Sequence, residues 1–414
     1  TGAGIKTLTL GGTNNGANTI DGAIVNNSAT NTTAVTKIDA GRWVLGGTNL
    51  YTGNTTVSNG TLQMRANAAS STIIADTSAI VFNATNVYAG GTLELVGQAS
   101  TNNVETLGVL TPTNGSGTVK LTPGSGGTAS IVFASLGTVG GGGSVNIVAP
   151  TASDPVKFTT TSITNNIANA GLFYNGSNFA FVPGAGSALR APDYTTDTDF
   201  ATSATALTAS KSMQITGAGF SNAAVTIDSL RISGSTALDM TGLLTIRTAG
   251  ATNASGGIIQ TGGSGSISGT GVTTGGSGAL VINVDGGGNS LQLDAPITAT
   301  TTGGFTKVGL GTLRLGGINL QTGTISVNEG TVRLVGSGQL GAGSAALTIR
   351  QEGIVELNGI TPATTTGAFN NNGIVRNTSA TTDVTLTVGG GNGTGTSNGI
   401  IEDGGAGKVN LIKI

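Results

Sequence analysis

IDAGRWVLGGTNLYTGNTTVSNGTLQM, residues 38–64, returns at residues 308–334 as VGLGTLRLGGINLQTGTISVNEGTVRL, 270 residues later and without a gap. Eleven positions are identical: Gly41, Leu45, Gly46, Gly47, Asn49, Leu50, Thr52, Gly53, Val57, Gly60 and Thr61 match Gly311, Leu315, Gly316, Gly317, Asn319, Leu320, Thr322, Gly323, Val327, Gly330 and Thr331. Each copy alternates apolar and polar residues over short runs broken by Gly and Asn, which is the signature of strands joined by tight turns. Trp43, Leu45 and Val57, and their counterparts Leu313, Leu315 and Val327, are the expected core of the repeat. Gly46-Gly47 and Gly316-Gly317 are the expected corners. Asn49 and Asn319 either bond neighbouring coils through their amides, as Asn ladders do, or serve as plain turn residues.

The chain ends resemble a third copy cut in two. Leu411 to Ile414, followed by Thr1 to Asn14, aligns with Val35 to Asn49 with a short insertion. This alignment places the run at residues 6–10 where residues 42–45 stand in the first copy. It predicts that the chain is one unit of something longer.

Composition points the same way. Gly accounts for 72 of 414 residues, charged residues are 9% and aromatics 4%. Mean hydropathy is positive, whereas disorder goes with low hydrophobicity and high charge. Strand-like runs recur along the chain between Gly/Asn/Ser turns, and no long stretch shows helical spacing. Self-similar repeats, few aromatics and small β-branched residues favour a solenoid over a sandwich. At roughly 20–25 residues per coil the chain makes about 17–20 coils, a rod on the order of 80–95 Å at a strand spacing of about 4.8 Å.

Three regions follow: coils at 1–149, an elaborated segment or small subdomain at 150–210, and coils at 211–414. The middle region contains Pro150, Pro155, Pro183 and Pro192 and a cluster of aromatics. Proline is poor in central strands.

Net charge is −2 with no basic cluster, so no electrostatic footprint for nucleic acid exists. The chain has neither cysteine nor histidine, which removes thiolate chemistry and the commonest general base and metal ligand. No apolar run is long enough to span a membrane. Thr1 does not open a signal-peptide pattern, so the expectation is that a leader, if one existed, has been removed.

The motif G-x-W-x-L-x-G-x-N-x-Y-T-G-x-T-x-V-x-x-G-T-L, carried by Gly41, Trp43, Leu45, Gly47, Asn49, Tyr51, Thr52, Gly53, Thr55, Val57, Gly60, Thr61 and Leu62, resembles the autotransporter-associated β-strand repeat, also called the passenger-associated transport repeat. The second copy departs at Leu313 and Gln321. The resemblance implies an all-β chain folded as a right-handed parallel β-helix, exported to an extracellular or bacterial cell-surface position. It implies no chemistry.

The candidate sites are few. Residues 336–341 satisfy G-x-G-x-x-G, but the run that follows reads as a strand, which leaves no helix N-terminus for a pyrophosphate. Asp193, Asp197 and Asp199 are the one candidate calcium cluster, set against a solvated loop lacking the EF-hand pattern; no other cofactor is expected. Acidic residues close in sequence, such as Glu402 with Asp403 and Glu352 with Glu356, have no aromatic platform for sugar beside them, so no enzyme is expected. Phe173, Tyr174, Phe179 and Phe181 form either a ligand-stacking surface or a local core.

The leading expectation is a structural fibre protein that partners itself head-to-tail, its last strand pairing with the first strand of the next copy. Ile5, Lys6, Leu8 and Leu10 at one end, and Val409, Leu411, Ile412 and Ile414 at the other, are the expected interface. One period of a giant covalent repeat protein reads identically. The alternative is an adhesin stalk displaying residues 150–200 to a glycan or surface, and a glycan-active enzyme is the remote one.

Overall fold

The computed structural model describes residues 4–67, 72–84, 88–163, 166–217, 219–247, 255–362 and 366–414. No α-helix occurs among them, and nearly all strand pairs are parallel. The fold is a β-solenoid: each coil lays its strands onto the same faces as the coil before. The chain divides into two compact units, Thr1–Ala168 with Leu172–Ala191, and Asn169–Gly171 with Pro192–Ile414.

In the first unit one column of register partners runs Asn18–Trp43–Leu62–Leu93–Val119–Ile147–Tyr174, one residue per coil. Strand side chains alternate between faces, so the column's neighbours point outward while Leu62, Leu93, Val119 and Ile147 are fully buried. Burying each such side chain contributes roughly 1.5–3 kcal/mol. A second face starts at Lys6–Leu10 and continues through Thr33–Lys37, Thr55–Val57 and Ile80–Asn83 into Leu110–Thr122. A third stacks Asn102–Leu107, Thr128–Phe133 and Val156–Phe158, with the Phe133 and Phe158 rings in contact at 6.1 Å.

The parallel pattern breaks near the end of this unit. Leu172–Tyr174 turns back antiparallel onto Asn178–Phe179, and Asn166–Ile167 pairs antiparallel with Phe181–Val182. Asn175 and Gly176 carry φ of 50° and 74°, left-handed values that Asn and Gly adopt at low cost, and they open the three-residue turn that ends at Asn178.

The second unit repeats the plan. Its column runs Ala201–Met213–Leu230–Ile258–Ile282–Lys307–Val327–Ile349–Asn371–Ser397. Seven rungs in one unit and ten in the other agree with the lower end of the coil number expected from sequence. A parallel column through Leu238, Ile267, Leu293, Leu315 and Leu334 lines the other side of the same core.

One sequence reading is corrected. Lys6–Leu10 pairs with Thr33–Lys37, Leu8 opposite Val35, and it is Asn18–Ile20 that stacks on Arg42–Leu45. Val409–Lys413 pairs with Val384–Val388, away from the Lys307 column. Thr-Leu-Thr-Leu-Gly-Gly suits any face of a solenoid. Coil length decides between them, and Val35 lies one coil length from Leu8 whereas Trp43 lies too far. Thr1, Gly2 and Ala3 of that alignment fall outside the described residues.

Candidate functional site

The two repeats concentrate buried polar groups that tie one coil to the next. Lys37 ends the strand Thr33–Lys37 and Lys307 lies in Phe305–Val308; both side chains are fully buried. Lys37 Nζ donates to the carbonyls of Ile38 (2.5 Å), Asp39 (2.6 Å) and Asn59 (3.1 Å). Lys307 Nζ donates to the carbonyls of Val308 (2.7 Å), Gly309 (2.6 Å) and Glu329 (3.3 Å). The arrangement is the same in both: two carbonyls from the lysine's own turn and one from the following coil. Asp39 and Gly309 hold equivalent left-handed turns, φ 58° and 75°, and the two turn carbonyls meet the ammonium there. Burial pushes the amines down, Lys37 to about 8 and Lys307 to about 7, against the pull of nearby Asp39 and Glu329.

Asn49 and Asn319 are also fully buried. Asn49 Oδ1 accepts the Ile24 N–H at 2.8 Å, and its Nδ2 donates to the Ile73 carbonyl at 2.6 Å. Asn319 Oδ1 accepts the Ile297 N–H and its Nδ2 donates to the Gln339 carbonyl, each at 2.7 Å. Each asparagine therefore bridges the coil before and the coil after, bonding backbone rather than another amide. This satisfies loop groups that no strand pairs. Ile73 N–H and Ile74 N–H in turn reach the buried Glu105 carboxyl at 3.1 and 2.7 Å, and burial pushes that acid up to about 8.

At the next inward position the repeats differ. Tyr51 hydroxyl bonds Thr55 Oγ1, which bonds Ser78 Oγ, which donates to the Gly53 carbonyl. In the second copy Gln321 Nε2 donates to the Leu340 carbonyl at 2.6 Å. Gly60 and Gly330 close the turn after the lysine cage. Their φ values are 64° and 66°, and a Cβ on either would sit 2.4 Å from the Asp39 or Gly309 carbonyl oxygen.

Leu45, Val57, Leu313, Leu315 and Val327 are fully buried, while Trp43 lies partly covered at the margin of its core and donates Nε1–H to the Gly11 carbonyl at 2.9 Å. The cage lysines are the site residues that sequence reading missed. They stand one residue before the compared 27-residue windows, and their pairing in the alignment at Lys37 and Lys307 was the available signal.

The other candidates are placed as follows. Phe173, Phe179 and Phe181 are buried, with Phe173 and Phe179 stacked at 5.9 Å, and Tyr174 is half-buried. Asp193 and Asp197 bond within their own loop: Asp193 accepts from the Thr195 hydroxyl and N–H, which hold it down to about 2, and Asp197 accepts the Asp193 N–H. Asp199 faces Lys211 at 3.7 Å. Among the described residues no group of three or more Asp or Glu is placed to hold a metal. The G-x-G-x-x-G stretch leads into the strand Leu347–Glu356. Of the end residues, Leu10 is buried, Val409 is half-buried, and Ile5, Leu8, Leu411, Ile412 and Ile414 are exposed, with Lys6 exposed beside them. No described helix is long and apolar enough to cross a membrane.

Compared with known proteins, the chain matches neither a curated protein nor a solved structure. The family model described as Passenger-associated-transport-repeat matches residues 35–64 and 305–334, windows that open two residues before each cage lysine. That family is a structural repeat of autotransporter-type passengers, proteins that are secreted or displayed at the surface. The chain thus carries two passenger-associated transport repeats, one in each compact unit.

Proposed function

We propose that this chain is a structural segment of an exported, surface-displayed bacterial fibre, in which coil-on-coil pairing continues from one copy into the next. The observation that carries this reading is the passenger-associated transport repeat built into each stack of parallel coils, and the outer strands show where further coils would add. Lys6–Leu10 and Asn18–Ile20 each pair with a coil on one side only, as do Ile400–Glu402 and Val409–Lys413. Among the described residues, six of the twelve large exposed apolar side chains lie on or beside these edges: Ile5, Leu8, Ile400, Leu411, Ile412 and Ile414. Unpaired edges with apolar side chains recruit further strands.

The repeat equivalence favours one pairing between copies. Lys6–Leu10 shares the face of the Val35 and Val57 rungs, equivalent to Val327, whose column ends at Asn371 and Ser397. A second copy would lay Lys6–Leu10 over the Ser397 rung and Asn18–Ile20 over Ile400–Glu402, rather than onto Val409–Lys413. Such a contact is heterologous and does not close, so it propagates as a filament.

Electron microscopy of the purified chain over a concentration series tests this. Unbranched filaments that lengthen with concentration support it. Single particles at every concentration overturn non-covalent stacking.

A further inference from the structure

The outer face of the second unit carries a column of long polar side chains, one per rung: Gln292, Arg314, Arg333, Glu356 and Arg376. Glu356 is sealed, its side chain 2% exposed, between Arg333 and Arg376, which both donate to it. Arg314 is different. Its Nε donates to Gln292 Oε1 at 3.2 Å, and no described carboxylate lies within ion-pair distance of it. Its register partner on the next rung is Arg333, a like charge where opposition is destabilising. The terminal guanidinium nitrogens of Arg314 and Arg333 have no partner among the described residues, and both side chains are half-exposed.

The first repeat shows that the fold does not need this pair. Val44 and Gln63 stand at the equivalent rungs and are partnered in the same register. The next two rungs keep the same charges in both units: Glu94 with Lys120 at 2.8 Å, and Glu356 with Arg376. Only the two stacked arginines are added. Beside them, on the same face, Ser290, Thr312 and Thr331 form a column of hydroxyls in register.

We infer that Arg314 and Arg333, with this hydroxyl column, bind an extended acidic polysaccharide along the stack of coils, through its carboxylate or sulfate groups. Rungs about 4.8 Å apart step at close to the rise of one sugar residue in an extended chain. A guanidinium presents paired donors to each oxyanion, and a hydroxyl beside each rung can bond the sugar. The inference is independent of end-to-end stacking.

The test is binding of the full chain to polygalacturonate (carboxylate) and heparin (sulfate) at low and high salt, with single-stranded DNA as a polyanion lacking sugar acids. Arg314→Gln keeps the Arg333–Glu356 pair and is expected to weaken binding about tenfold, as loss of one charged hydrogen-bonding group does. Arg314→Val with Arg333→Gln installs the residues with which the first repeat already folds, and is expected to abolish binding while leaving the circular dichroism spectrum unchanged. Preference for one polymer identifies which oxyanion is read. The inference is overturned if the full chain binds neither polysaccharide at low salt, if both variants bind as the parent does, or if DNA is bound equally well.

Discussion

Lys307 enters the fold at an energetic disadvantage that depends on pH. Its amine falls from an ordinary 10.5 to about 7 on burial. Below pH 7 the folded and unfolded chains both carry the charge, and the burial penalty is fully felt. Above 10.5 both are neutral and the penalty is gone. Between these values the unfolded chain holds more protons than the folded one, so stability rises with pH, by at most about 1.4 kcal/mol per unit. Urea unfolding at pH 6, 8 and 10 should show a larger rise in the parent chain than in Lys307→Met, which keeps the smaller contribution of Lys37 above pH 8. Parallel pH profiles would mean that the three carbonyls keep the ammonium charged throughout. The asparagine pegs make a simpler case. Asn49→Ala leaves the half-buried Ile24 N–H without its acceptor, while the Ile73 carbonyl keeps the backbone N–H of residue 49. Asn319→Ala strands the buried Ile297 N–H and the half-buried Gln339 carbonyl. Each should cost roughly 1–3 kcal/mol, read as a lowered urea midpoint.

At the scale of the strand and its turn, two glycines separate backbone strain from lack of space. Gly330 and Gly336 have similar φ, 66° and 57°, but a Cβ at Gly330 meets the Gly309 carbonyl at 2.4 Å whereas one at Gly336 meets nothing within 4 Å. Gly336→Ala should therefore cost only the left-handed penalty, roughly 1–2 kcal/mol. Gly330→Ala should cost clearly more, since it also displaces the turn that supplies the Lys307 cage. Equal thermal shifts for the two would sink this account. The strands themselves were legible because alternation of the kind seen in Thr312–Leu315 survives in one dimension. The repeat core Leu45, Val57, Leu313, Leu315 and Val327 was readable for the same reason. Face assignment was not: Lys6–Leu10 resembles Arg42–Leu45 in residue type, and only closure of a coil shows that it belongs with Thr33–Lys37. The lysine cages were hidden by chemistry as well as by place. A lysine in an alternating run reads as solvent-facing, and the carbonyls that hold it inside leave no trace in side-chain identity.

On the scale of the whole chain, each unit has its own ladder and its own hydrophobic core, one gathered around Leu62 and Leu93 and the other around Leu293, Leu315 and Leu334. In a solenoid each coil is stabilised mainly by its nearest neighbours, so damage should spread along a ladder and stop where the ladder stops. Leu315→Asp puts a charge into a fully buried position between Leu293 and Leu334, and leaving it unpaired there costs several kcal/mol. Limited proteolysis of that variant should digest the second unit and leave a resistant fragment ending near Ala191, the boundary of the first unit. Leu62→Asp should do the reverse and leave a fragment beginning near Pro192. Complete digestion of either variant would show that the units fold only together, and the two repeats would then stabilise one cooperative body rather than anchor two.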